Sequence, residues 1–189
     1  LIACNTTNAC ALDILQNTLK IPCFDLITSV SNTIKSNSIG ILATTATVKS
    51  SFYKKIINKR RPDIKVFQQA CPKFVSEIEK ISIEYEKINY LSDLYLRPLL
   101  KKNISEIILG CSHYPLIGEI LRKKILSDIK IIDPSIALTN NLNNYFYPLE
   151  KYNKSNKYDN VEFFATGNID EFSIKVTNWL KINKKITLV

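Results

Sequence analysis

Short apolar runs alternate with amphipathic stretches along almost the whole of this 189-residue chain, and few folds accommodate that alternation. The runs predict strands over Leu1–Ala3, Cys23–Ile27, Ser38–Ala43, Ile64–Gln69, Glu106–Leu109, Ile129–Ile132, Val161–Phe164 and Ile186–Leu188. Helical spacing of apolar residues fills most of the gaps, over Thr7–Leu19, Thr47–Lys59, Ile81–Leu100, Pro115–Leu126, Ser135–Tyr145 and Ile169–Leu180. Runs such as Ile107, Ile108 and Leu109 suit strands buried on both faces. The pattern therefore predicts a doubly wound α/β protein with mostly parallel sheets, in which ligands bind at the carboxyl ends of the strands. The polar stretch from Glu150 to Asn160 reads as a loop.

A hydrophobic content of 46% is enough for a real core, and no apolar run approaches the roughly 18 residues of a membrane span. The first residues lack the basic start and cleavage pattern of a signal peptide, so a cytoplasmic chain with no membrane partner is expected. The chain has no methionine and opens on "LIAC", the apparent end of a strand already under way, so an N-terminal part is expected to be missing. The net charge of +9 raises nucleic acid as a partner. Yet the one dense basic cluster, Lys54 to Lys65, lies on a predicted helix with Val48, Phe52 and Ile56 as its buried stripe, and reads as a solvated outer face. No nucleic acid is expected.

The five cysteines, Cys4, Cys10, Cys23, Cys71 and Cys111, include no CxxC pair, which argues against a disulfide framework and against a zinc site. Two of them share one grammar. "LIACNTTNACALDIL" and "IILGCSHYPLIGEIL" both run apolar strand, small residue, Cys, polar residues, helix. A thiol at such a corner lies near free backbone N–H groups and the positive end of a helix dipole, which favour thiolate. Thr6 or Thr7 is the expected cap beside Cys4, and Pro115 opens the helix after Cys111. A free cysteine more often packs a corner as a small apolar residue. Two alike on different strand–helix units, however, can face each other across a cleft, as inversion at a carbon centre requires: one thiolate removes a proton from one face and the opposite thiol delivers one to the other. His113, the chain's only histidine, can assist proton movement, orient a substrate or serve as a cap. A third corner, "ILATTATVKSS", offers threonine hydroxyls and helix-start N–H groups to a carboxylate, or ordinary capping by Thr45 or Thr47.

Together "ACNTTNA", "GILATTATVKSSFY", "ACPKFVSEIE", "ILGCSHYPL" and "FFATGNIDEF" give the chain a resemblance to the glutamate racemases over nearly its whole length. The resemblance implies that Cys4 acts on the D-enantiomer and Cys111 on the L-enantiomer, each returning a proton for the other's reaction. It implies substrate contacts from Asn5, Thr6, Thr44, Thr47 and Ser112, and a glutamate partner for His113 at Glu79, with Glu77 the neighbouring alternative. It implies no pyridoxal cofactor, no metal, and no proton-transfer role for Cys10, Cys23 or Cys71. The family's reaction supplies D-glutamate for peptidoglycan, and so for cell-wall biogenesis and cell shape; a homodimer is in keeping with it.

The fold implied is two α/β lobes with the active site in the cleft between them: residues 1–37 with 133–189, lacking its first strands, and residues 38–132. Ser112 stands where the family usually has Thr, which keeps a hydroxyl, and "PCFDLITSV" replaces a stretch that usually contains a Pro-Gly pair. The family's Asp-Ser-Gly-rich loop and Pro-Tyr-Gly-Ser segment precede the first cysteine and are not in this chain, which by itself is expected to be inactive or weakly active. An aspartate racemase of the same superfamily would share both thiols. A thiol phosphatase would need an Arg close after Cys111, and a basic nucleic-acid-binding module would leave the paired corners without a task.

Overall fold

The structure, a computed structural model, describes residues 1–146 and 161–189; the loop expected from Glu150 to Asn160 lies outside the described residues. The chain forms two compact units, one of Leu1–Glu79 with Glu84–Phe146 and the other of Lys80–Ile83 with Tyr147–Val189. All of the candidate site residues belong to the first.

At the centre of the first unit is a parallel sheet of β1 (Ser38–Ala43), β2 (Lys65–Ala70), β3 (Glu106–Gly110) and β4 (Lys130–Ile132), in the order β2-β1-β3-β4. The two inner strands are buried nearly throughout, because Ile39, Ile41 and Leu42 in β1 and Ile107, Ile108 and Leu109 in β3 are apolar on both faces. The strand order turns back between β1 and β3, and the register aligns Ala43 with both Ala70 and Gly110. Thr44, Cys71 and Cys111 therefore leave the sheet side by side at its carboxyl edge, the place where open α/β sheets bind their ligands.

Around this sheet lie α1 (Asn5–Thr18), α2 (Leu26–Ser31), α3 (Thr45–Ser50), α4 (Phe52–Arg60), α5 (Phe74–Ile78), α6 (Tyr85–Leu100), α7 (Gly118–Lys123) and α8 (Pro134–Phe146). Helix α6 buries Ile88, Leu91, Tyr95, Leu96 and Leu99 at helical spacing. The short α5, absent from the apolar pattern, is held by Phe74, whose ring meets Tyr95 at 5.1 Å and Tyr114 at 5.2 Å edge-to-face.

Four elements differ from the sequence expectation, the first being Leu1–Ala3, where Ile2 makes an isolated bridge and no strand forms. Cys23–Ile27 is not a strand: Asp25 makes a single bridge to Ile2, and its carboxylate accepts the Thr28 N–H at 2.8 Å to cap α2. Buried Asn8 completes the turn, accepting from Leu26 N–H at 2.7 Å and donating to the Ile2 carbonyl at 3.1 Å, so local side-chain bonds override β-propensity there. The helix expected over Thr47–Lys59 is two helices, because Ser51 takes a left-handed conformation with φ 54°. The break turns Phe52, Tyr53 and Ile57 inward, leaving Val48 and Ile56 half-buried instead of on the main stripe. The helix expected from Pro115 splits into a 3-10 helix, Tyr114–Ile117, and α7; Pro115 has no N–H, and Tyr114 and Leu116 bond three residues back, to Cys111 and His113.

The second unit pairs β5 (Phe163–Ala165) with β6 (Ile186–Leu188) in parallel, linked by α9 (Ile169–Leu180), which Asn168 caps by accepting the Glu171 N–H at 3.1 Å. Among the described residues no helix is long and apolar enough to cross a membrane.

Candidate active site

Cys4 is itself the N-cap of α1, with extended backbone at φ −104° and its carbonyl accepting from Asn8 N–H at 2.9 Å. Thr6 and Thr7, expected as caps, fall inside the first turn. The Thr6 hydroxyl is thereby free to leave the helix, and it meets Thr44 Oγ1 at 2.9 Å and Thr47 Oγ1 at 3.3 Å. Thr44 and Thr47 close a triangle at 3.0 Å. Thr44, rather than Thr45 or Thr47, caps α3, accepting from Thr47 N–H at 3.2 Å. Each hydroxyl both donates and accepts, so the triangle can turn its O–H groups towards a carboxylate.

Cys111 follows β3 directly. A Cβ on Gly110 would stand 2.9 Å from the Leu42 carbonyl oxygen and 3.1 Å from Ala43 Cβ, so only glycine lets the strand lie this close to β1 just before the thiol. Cys111 is 6% exposed, whereas Cys4 is exposed. The Cys111 sulfur lies 3.7 Å from His113 Nδ1, and His113 Nε2 lies 2.7 Å from Glu79 Oε1. Of the two glutamates near the end of α5 it is thus Glu79 that faces the histidine, while Glu77 is paired with Lys87 at 2.9 Å. With Nε2–H donating to Glu79, the lone pair of Nδ1 faces the sulfur.

Burial pushes the Cys111 thiol up, the His113 backbone N–H pulls it partly back, and the charges of Cys4 and Glu79 push it further up. The strand-to-helix corner was expected to favour thiolate; at Cys111 desolvation outweighs it. The resting sulfur is a thiol, with His113 Nδ1 beside it. Cys71, on the same edge, is pushed up to about 12 chiefly by burial and donates to the Gln69 carbonyl at 3.6 Å; it is a neutral packing residue.

A cavity of about 310 Å³ opens beside Cys111, lined by Asn5 and Ser112 together with Asp133, Ser135 and Thr139 among others. Cys4 and the threonine triangle are not on its walls. Asn5 is 2% exposed and accepts the Tyr53 hydroxyl at 2.6 Å. Tyr53 has no signal of its own in the sequence: helical spacing marks Phe52 and Ile56, and only the break at Ser51 brings Tyr53 inward. Among the described residues no group of three or more His, Cys, Asp or Glu side chains is arranged to hold a metal ion.

The family model for Asp/Glu/hydantoin racemases matches residues 1–142. A glutamate racemase of Prochlorococcus marinus is 43% identical over all of this chain and 72% of its own length. The chain belongs to the glutamate racemases. Its fold agrees with crystal structures from that family: one from Francisella tularensis, in complex with D-glutamate, matches the whole chain at TM-score 0.85 and 34% identity. Another, from Bacillus anthracis, matches at TM-score 0.87 and 27% identity, and each alignment covers 72% of the solved chain. The racemase is an isomerase of amino acids with the α/β architecture and parallel sheet that its apolar runs predict.

Proposed function

We propose that this racemase interconverts L- and D-glutamate with Cys4 and Cys111 as opposed acid/base groups, without cofactor or metal. The observation that carries the reading is the chain of contacts Cys111–His113–Glu79 at the same sheet edge as the three threonine hydroxyls. Cys4 is close enough for its charge to act on Cys111. The division into lobes of residues 1–37 with 133–189 and 38–132, with the cleft between them as the site, belongs to this proposal, as do a cytoplasmic setting and the supply of D-glutamate for peptidoglycan.

For L-glutamate, His113, held by Glu79, takes the proton of the Cys111 thiol. The thiolate removes the α-proton and becomes a thiol again, while the electron pair stays on the α-carbon. Cys4 then delivers its proton to the opposite face, and D-glutamate leaves with Cys4 as the thiolate. The proton left on His113 is released to solvent while Cys4 takes one up before the next L-glutamate is turned over. The reverse reaction starts from that thiolate. Asn5, Thr6, Thr44, Thr47 and Ser112 supply amide and hydroxyl groups for the carboxylates and the ammonium group. Assigning Cys111 to the L-enantiomer follows the family resemblance.

The two thiols titrate as a pair, and catalysis needs one ionised and one protonated. Because the equilibrium constant of racemisation is one, kcat/KM has the same pH profile for both enantiomers. Burial and the neighbouring charge push Cys111 up. The profile is accordingly expected to be bell-shaped, with its alkaline limb above the ordinary thiol value of about 8.5. A profile that falls before pH reaches that value would contradict the pairing. Turnover of aspartate in preference to glutamate would move the assignment to the related racemases of aspartate.

A further inference from the structure

We propose that Tyr53 is a positioning residue for the racemase: its hydroxyl fixes the Asn5 side-chain amide so that Nδ2 is kept as a hydrogen-bond donor for an oxygen of the bound amino acid. The inference rests on the reading of this edge of the sheet as the glutamate site. Tyr53 is fully buried on α4, and its hydroxyl donates to Asn5 Oδ1 at 2.6 Å across 48 positions of sequence. At the other end of the same amide, Nδ2 is buried and has no hydrogen-bond partner among the described residues, although Asn5 lines the cavity beside Cys111. A buried amide N–H2 without a partner is uncommon in a folded protein and marks a group kept for something else to bind.

An asparagine amide turned by 180° exchanges its donor and its acceptor, so the direction of Asn5 depends on what it faces. It faces a donor. Burial first, then the charges of Asp25, Cys111 and Asp133, push the Tyr53 phenol well above its ordinary value, so the hydroxyl keeps its proton and gives it to Oδ1. With Oδ1 taken, Nδ2 is left for the ligand and attracts a carboxylate. The opposite amide orientation would present a carbonyl lone pair and repel one. The left-handed turn at Ser51 belongs to the same device, since it starts α4 where Tyr53 points inward beneath α1.

The test compares Tyr53→Phe and Tyr53→Leu with the unaltered chain by thermal denaturation, by calorimetric titration with L- and D-glutamate, and by the 15N-edited NMR signals of the Asn5 side-chain amide. Tyr53→Phe is expected to keep the melting temperature within a few degrees, to weaken glutamate binding about tenfold, and to shift the Asn5 Nδ2 signals. Tyr53→Leu is expected to melt much lower than Tyr53→Phe without a further loss of affinity, because the ring serves packing and the hydroxyl serves Asn5. Unchanged affinity in Tyr53→Phe overturns the proposal. If the unaltered chain binds neither enantiomer even with the segments that its family places before Cys4 restored, the glutamate reading itself fails, and the NMR arm still decides about Tyr53: unmoved Asn5 signals overturn the positioning role, and shifted signals support it.

Discussion

In the racemase with the segments that its family places before Cys4 restored, replacing either Cys4 or Cys111 by serine is expected to lower racemisation by roughly 10²–10⁴-fold, the usual worth of a positioned acid or base. Serine keeps the size of the side chain but does not ionise at the pH where the thiol does, so each variant loses one of the two proton carriers. The losses are expected to be equal for the two enantiomers, because both directions pass through the same pair of groups and the equilibrium constant is one. The double variant is expected to be little worse than either single one, since groups that act as a unit are not additive. Cys10→Ser is the control: Cys10 is exposed on α1, outside the proposed proton path, and its change is expected to leave the rate as it was. Chiral chromatography of product against time reads all four proteins, and a Cys111→Ser variant that racemises at the original rate would remove that thiol from the mechanism.

Gly110→Ala is expected to cost more stability than any other small change near the site. The added carbon would meet the Leu42 carbonyl oxygen at 2.9 Å, with Ala43 Cβ and Ile41 Cγ2 each at 3.1 Å. Those atoms belong to β1, which is paired on both sides, so they cannot step aside as a flexible side chain would. Overpacking of this kind costs about 1–3 kcal/mol. For a chain of this size that is a fall of roughly 2–12 °C in the melting temperature. The strand must also move, and Cys111, one residue on, moves with it, so activity is expected to fall beyond what stability explains. Gly118→Ala, where an added Cβ meets nothing within 4 Å, is the matched control and is expected to be neutral or slightly stabilising in α7. Equal melting temperatures for the two variants would show that the strand spacing at Gly110 is not constrained as described.

The sheet was legible because its inner strands carry continuous apolar runs: Ser38–Ala43 has the same bounds in the sequence pattern and in the structure, and so has Ile169–Leu180. Where a polar side chain decided the backbone, the pattern failed. Asp25 and Asn8 convert a strand-like run into α2, and Ser51 breaks a helix that spacing alone carries through. That break also hid Tyr53, whose inward turn depends on a left-handed residue two positions earlier. At the candidate site, the residues came from motifs. The resemblance named Glu79 for His113 with Glu77 as the neighbouring alternative, and the geometry of α5 separates the two, setting Glu77 against Lys87 and Glu79 against His113. The ionisation of Cys111 was read the wrong way, because a helix-start argument contains no measure of how deeply the sulfur is buried.

The central claim is that two different thiols serve the two faces of the α-carbon, and isotope transfer tests it most directly. L-glutamate is turned over in deuterium oxide, and the first few per cent of D-glutamate formed is separated and examined by NMR at the α-position. A thiol carries one hydrogen, so the proton taken by one sulfur cannot be the one returned by the other. The account predicts deuterium at the α-carbon of all the early D-glutamate, and protium still in place in the remaining L-glutamate. Early D-glutamate that retains protium would mean that a single group carries the proton across, and would contradict it.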